Sequence, residues 1–291
     1  MTRHCEAVMG TVVSLDIRTP GNSERLRKAV NEVVNWLHWV DGTFSTYLPD
    51  SEISRLGRGE LALADCHQLV REVLATCEDF RVSTRGYFDA RAVGRLDPSG
   101  LVKGWAIERA SVMLVAAGWP DHAIDGGGDV RLNGRPDAAT LGQGAPVQAT
   151  LAQGTPAGST PKWQVALRHP FHPGAFCAIV ALGEGAVATS GTYERGQHVI
   201  DPHLGKAVTS VAALTVIGPE LASADAYATA GMAMGLDAPR WLATLASYES
   251  ILIDAEGNAW ESPGFARYRA VTTGDRRVPR QPDPGAVVSE R

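Results

Sequence analysis

Apolar positions along the chain alternate between the two periods that separate strands from helices. "VMGTVVSLDIR" (8–18) alternates apolar and polar residues and predicts an opening strand. In "NSERLRKAVNEVVNWLHWVDGTF", Leu26, Val30, Val33, Leu37 and Val40 fall at helical spacing, with Ser23 as the expected cap and Gly42 just past the end. Ser51 is placed to cap a short helix within "FSTYLPDSEISRLGRG" (44–59), and "CHQLVREVLATCEDFRVSTRG" (66–86) predicts a second amphipathic helix. "GWAIERASVMLVAAG" predicts a third, ended by Gly118, and "HAIDGGGDVRLNG" a strand broken by glycines. "WQVALRHP", "AFCAIVALGEGAVATSG" and "SVAALTVIG" read as strands, followed by the small-residue helix "ASADAYATAGMAMG" (222–235). "APRWLATLAS" and "SILIDAEGNAW" complete the structured part. This mixture predicts an α+β domain.

Two segments break the pattern. Residues 135–162 hold almost no bulky apolar side chains and many Pro, Gly, Ala and Thr, which predicts a flexible insertion. The polar stretch 266–291 predicts a disordered tail, leaving 1–265 as the folded domain. The composition of the 291 residues, 44% hydrophobic and 20% charged, suits one large domain or two small ones around a cleft. A net charge of −5 argues against a general nucleic-acid binder, which needs a basic face. No stretch approaches the ~20 apolar residues of a spanning helix, and the N-terminus lacks a signal-peptide core. Cys5, Cys66, Cys77 and Cys177 form no CxxC pair. They read as reduced thiols of a cytoplasmic protein.

Candidate chemistry starts at Asp225, a lone carboxylate in a run of small apolar residues, where burial without a partner is costly. Thr229, four residues on, shares its helix face. Together they offer hard oxygen ligands suited to Mg²⁺, or else an Asp near a helix N-terminus and a Thr bonded back to its own helix. "DGGGDVRLNG" (125–134) suits close approach of a ligand to backbone, or a tight turn; Asp129 has no role that spacing assigns. In "RLDPSGLVKGWAIE" (95–108), Lys103 just before a helix is placed to meet a phosphate, and Asp97 suits a turn equally well. "ATSGTYERGQHVIDPHLGKA" (188–207) is dense in polar groups; His198 is a possible base. Ser190 lies outside any GxSxG elbow, which argues against a serine nucleophile.

Taken in order, the blocks "MGT", "FSTYLPDSEISRL", "GYFDARAVG", "GLVKGWAIERA", "IDGGGDVRLNG", "VALRHP", "ATSGTYERGQHVIDPHLG" and "ADAYATAGMAMG" resemble the ApbE family, the FAD:protein FMN transferases, from about Met9 to Gly235. The resemblance implies an ApbE-like (T-fold-like) mixed α/β domain with a central cleft for FAD. It implies Mg²⁺-dependent transfer of the FMN moiety of FAD onto a threonine of an acceptor flavoprotein of the FMN-binding-domain type, with AMP released. By the same resemblance, Asp225, Thr229 and the Gly100 carbonyl hold the metal. Met9, Tyr47, Tyr87, Phe88, Asp89, Asp97, Lys103 and Val199 contact FAD, and His198 accepts the threonine proton. Two other activities use the same residues: hydrolysis of FAD to FMN and AMP, or flavin binding without turnover.

The chain departs from the family pattern in three places. Ala228 stands where some members carry a second Asp before the metal-binding Thr. The segment between "YFDARAVG" and "LDPSG" is short, and Pro98-Ser99 replaces a more usual glycine. Neither nucleic acid nor membrane insertion is expected.

Overall fold

The computed structural model describes residues 2–136, 161–192 and 199–270. Its frame is an eight-stranded sheet in the order β1-β2-β3-β4-β7-β10-β11-β12, every neighbouring pair antiparallel. These strands are β1 (Thr2–Val8), β2 (Thr11–Ile17), β3 (His122–Gly126), β4 (Asp129–Asn133), β7 (Gly185–Gly191), β10 (Val211–Gly218), β11 (Glu249–Asp254) and β12 (Ala259–Glu261). A ribbon of β5 (Trp163–Arg168) and β6 (Phe176–Leu182) covers one face of the sheet. The other face carries helices α1 (Ser23–Phe44), α2 (Glu52–Gly57), α3 (Gln68–Ser83), α4 (Ser99–Ala116), α5 (Leu221–Met234) and α6 (Ala238–Leu242). A short hairpin, β8 (Ile200–Asp201) with β9 (Lys206–Ala207), stands apart.

The layers explain the patterns in the sequence. All eight residues of β10 are buried, because helices cover one face and the ribbon the other, so the strand reads as a continuous apolar run. The α1 stripe Leu26, Val30, Val33, Leu37 and Val40 is buried as its spacing predicts. α5 has almost no polar face because it lies inside the helical layer; ten of its fourteen residues are buried.

Several expected boundaries move. "VMGTVVSLDIR" is not one strand: Met9 (φ +54°) and Gly10 (φ +69°) form a two-residue hairpin turn, and residues 2–8 make the edge strand β1. The half-exposed, charged β1 gave no apolar alternation to read. The cap of α1 is Asn22, whose side chain accepts the Glu24 and Arg25 N–H groups, and the helix runs through Gly42 to Phe44. α4 begins at Ser99, so Lys103 sits inside the helix and not ahead of it. The glycines of "DGGGD" join β3 and β4 through a Gly127–Gly128 turn (φ +64° and +91°).

Order also extends past 265. A 3-10 turn spans Phe265–Tyr268, and the Ala270 N–H donates to the Ile179 carbonyl at 2.8 Å. Residues 266–270 therefore belong to the folded domain and not to a tail. The rest of that expected tail, 271–291, and residues 137–160 of the expected insertion lie outside the described residues. Among the described residues no helix is long and apolar enough to cross a membrane.

Candidate active site at the contact of two helices

α4 and α5 run in opposite directions and meet along one stripe of α4: Gly100, Gly104 and Glu108, each one turn from the next. Two of these positions have no side chain for a physical reason. A β-carbon on Gly104 would lie 2.7 Å from the Leu221 carbonyl oxygen and 2.9 Å from Asp225 Cβ. One on Gly100 would lie 3.1 Å from both Thr229 Oγ1 and Thr229 Cγ2, and 3.3 Å from Phe88. The glycines let the α4 backbone reach the α5 side chains directly. At the third position, Glu108 Oε2 accepts the N–H of Leu221, the first residue of α5, at 2.7 Å, while Oε1 accepts from Arg131 Nε at 2.8 Å. A carboxylate at that helix start satisfies an orphan donor and complements the dipole.

Asp225 is 5% exposed, and its Oδ2 accepts the Gly104 N–H at 3.0 Å. Lys103 Nζ lies 3.8 Å from the same oxygen and pairs directly with Asp129 Oδ2. Asp129 is fully buried at the start of β4, and its Oδ1 accepts the Thr189 N–H from β7 at 3.0 Å. The β4–β7 ladder is recorded only over residues 130–132, so the Asp129 side chain takes over where strand pairing stops. One partly exposed lysine is thus shared by two buried carboxylates on different elements. Tyr227, the other polar group near Asp225 in sequence, packs edge-on against Phe80, Trp241 and Tyr248.

Of the residues the sequence singled out, Gly100, Lys103, Asp225 and Thr229 come together at this helix contact, with Phe88 against Gly100. Phe88 is only 2% exposed, so it is a wall packed into the core more than an open face. Met9 is partly buried against the helical core in the β1–β2 turn. That turn neighbours Gly127, where a β-carbon would lie 2.9 Å from Thr11 Oγ1. Tyr47 is 82% exposed, with the Arg95 guanidinium 5.8 Å from its ring centre; Arg95 also lies 3.5 Å from Asp97. Asp97 Oδ1 accepts the Ser99 N–H at 3.1 Å and opens α4, which is the turn role its Asp-Pro context suggested.

Tyr87 meets His203 edge-on at 4.5 Å, and the His203 Nε2–H donates to the Arg85 carbonyl, fastening the β8–β9 hairpin to the turn before "YFD". Asp89 Oδ1 accepts the Arg91 N–H at 2.8 Å, and the Val199 carbonyl accepts the Val208 N–H at 3.0 Å. Ser190 lies in the β7–β10 ladder opposite Leu214 and not on an exposed elbow. His198 lies outside the described residues.

Sequence reading missed Asp129, Gly104 and Glu108. The i, i+4, i+8 spacing of Gly100, Gly104 and Glu108 was the available signal for a close helix contact. Asp129 gave none, because its partner Lys103 is 26 positions away.

The oxygen donors suit a hard divalent cation. Among the described residues no three His, Cys, Asp or Glu side chains converge into a metal cage. What converges is one buried carboxylate, a hydroxyl on the same helix face and the Gly100 backbone. A set this sparse fits Mg²⁺, which keeps several water or phosphate ligands, and does not fit zinc. In a regular helix the Gly104 N–H serves the residue 100 carbonyl. Here Asp225 draws on that same donor.

A family model described as the ApbE family matches residues 9–94 and 90–252. Relatives that bear the name FAD:protein FMN transferase include two from different bacteria. The one from Rhodobacter capsulatus is 30% identical over 190 residues, 62% of this chain and 32% of the relative. The one from Vibrio cholerae is 27% identical over 150 residues, 48% of this chain and 39% of the relative. The matches therefore span only about a third to two fifths of those relatives' length. The ApbE protein of Thermotoga maritima superposes with a TM-score of 0.75 at 17% identity, over 93% of this chain and 99% of that one. The flavin transferase ApbE of Vibrio cholerae gives 0.73 at 19% identity, over 92% and 98%. The fold is ApbE-like.

Proposed function

The chain belongs to the ApbE family, and on that footing we propose that it transfers the FMN moiety of FAD to a threonine hydroxyl of an acceptor flavoprotein. The observation that carries the reading is the convergence of Gly100, Lys103, Asp225 and Thr229 at one helix contact. The names of the Rhodobacter and Vibrio relatives support it.

In the reaction, the threonine oxygen attacks the FMN phosphorus of the FAD diphosphate. A threonyl P–O bond forms, the bond from that phosphorus to the bridging oxygen breaks, and AMP leaves with the bridging oxygen. Mg²⁺, when bound by the Gly100 carbonyl, Asp225 and Thr229, would supply neutralisation of charge on the diphosphate. Gly104 orients Asp225 for that task, and the Gly100–Thr229 contact holds the hydroxyl beside the backbone. Ala228 is fully buried and adds no donor, so the protein ligands are fewer than where that position is Asp. His198 is assigned as the proton acceptor on the family resemblance. Tyr47, exposed and backed by Arg95, is suited to close over a flat ring.

The test is incubation with FAD, Mg²⁺ and candidate flavoproteins, followed by mass spectrometry of the acceptors. The expected product is an FMN-threonine adduct equimolar with AMP. AMP without adduct, released equally with no acceptor present, would replace transfer by hydrolysis.

A further inference from the structure

We propose that Lys103 is a built-in stand-in for the divalent cation: it holds the Asp129–Asp225 pair together in the metal-free protein and competes with the metal for it. The inference rests on the metal reading above and adds a residue that opposes metal binding.

Three observations carry it. Asp129 and Asp225 are both buried, on different elements, and are brought into one site. Two carboxylates in a nearly dry place repel one another unless a cation lies between them. Lys103 supplies that cation, in contact with Asp129 Oδ2 and 3.8 Å from Asp225 Oδ2. Its side chain remains 23% exposed, against 0% for Asp129 and 7% for Asp225, so the lysine is the partner in contact with solvent.

An ammonium within a few ångströms of an assigned metal ligand repels an incoming dication, and the burial of both carboxylates limits screening. Removing the lysine charge should therefore strengthen metal binding in the absence of nucleotide. Ordinary structural damage to a site weakens binding, so the sign separates the two roles. Asp129 predicts the opposite sign: with its charge removed, the ammonium is left to Asp225 alone, and the metal should bind more weakly.

The experiment is titration of the full chain with Mn²⁺, free ion followed by electron paramagnetic resonance, with no FAD present. Lys103→Met and Lys103→Gln are each expected to bind about tenfold more tightly than the parent, and Asp129→Asn at least threefold more weakly. Adding Asp225→Asn to Lys103→Met should abolish the gain, which locates it. Unchanged or weaker binding by both lysine variants overturns the inference while leaving the metal reading intact. Absence of Mn²⁺ binding in the parent and every variant overturns both.

Discussion

The backbone N–H of Gly104 donates to the carboxylate of Asp225 across 3.0 Å. A main-chain group of one helix thereby holds a side chain of another, which is possible only because residue 104 has no side chain. Gly104→Ala places a methyl group 2.7 Å from the Leu221 carbonyl oxygen, and backbone yields less readily than a flexible side chain. The variant should be less stable by about 1–3 kcal/mol, read by denaturant unfolding, and should lose Mn²⁺ affinity as the helices part.

Asp225→Asn keeps an oxygen that can accept the Gly104 N–H but removes the charge. Transfer of FMN should fall about 100-fold or more, while the thermal midpoint stays close to the parent's. A variant that retains both its rate and its Mg²⁺ requirement would show that the metal is held elsewhere.

Glu108 ties three elements: it caps α5 through the Leu221 N–H and pairs with Arg131 of β4. Arg131 is 8% exposed; truncation removes its nearest carboxylate but leaves its bonds to the Leu132 and Gly185 carbonyls. Glu108→Ala should cost about 1–3 kcal/mol through the hydrogen bonds lost to Leu221 and Arg131, and Glu108→Gln less, because its amide still offers an acceptor. Urea unfolding of the two variants checks the order.

His122 is fully buried, and its hydrogen bonds define the tautomer. Nδ1–H donates to the Trp119 carbonyl at 2.7 Å, so Nε2 accepts from the Ser111 hydroxyl at 2.8 Å. Burial lowers its pKa to about 4, against the bond to Trp119, which raises it. The unfolded chain therefore takes up a proton near pH 6.5 that the folded chain refuses until about pH 4. This stability is complete above pH 6.5 and drains away as pH falls toward 4, by about 3 kcal/mol in all. His122→Asn should unfold with a shallower dependence on pH across that window, measured by urea titration at half-unit steps.

What the sequence disclosed follows from the range of the interactions. Helical spacing in α1 and the unbroken apolar run of β10 are local consequences of burial, and both read correctly. The Met9–Gly10 turn was hidden because a non-glycine residue takes a left-handed conformation there, and the polar edge strand before it carries no alternation. Asp225 and Thr229 were visible as one helix face. Asp129 was not, because its importance lies in Lys103 from a distant helix and Thr189 from a distant strand. The end of the fold was placed too early because residues 266–270 are held by partners distant in sequence: Arg267 pairs with Glu249, Arg269 with Glu261, and the Ala270 N–H with β6.

The Gly100, Gly104 and Glu108 spacing also sets what lengths of chain this protein can tolerate. Inserting one residue between positions 100 and 108 would turn everything beyond it by about 100° around the helix axis, uncoupling the Thr229 contact from the Glu108 cap. Loops leading into either helix can grow or shrink without disturbing that alignment. Variation in length should therefore collect outside the two helices, and within them the count of residues is as much a part of the chemistry as their identity.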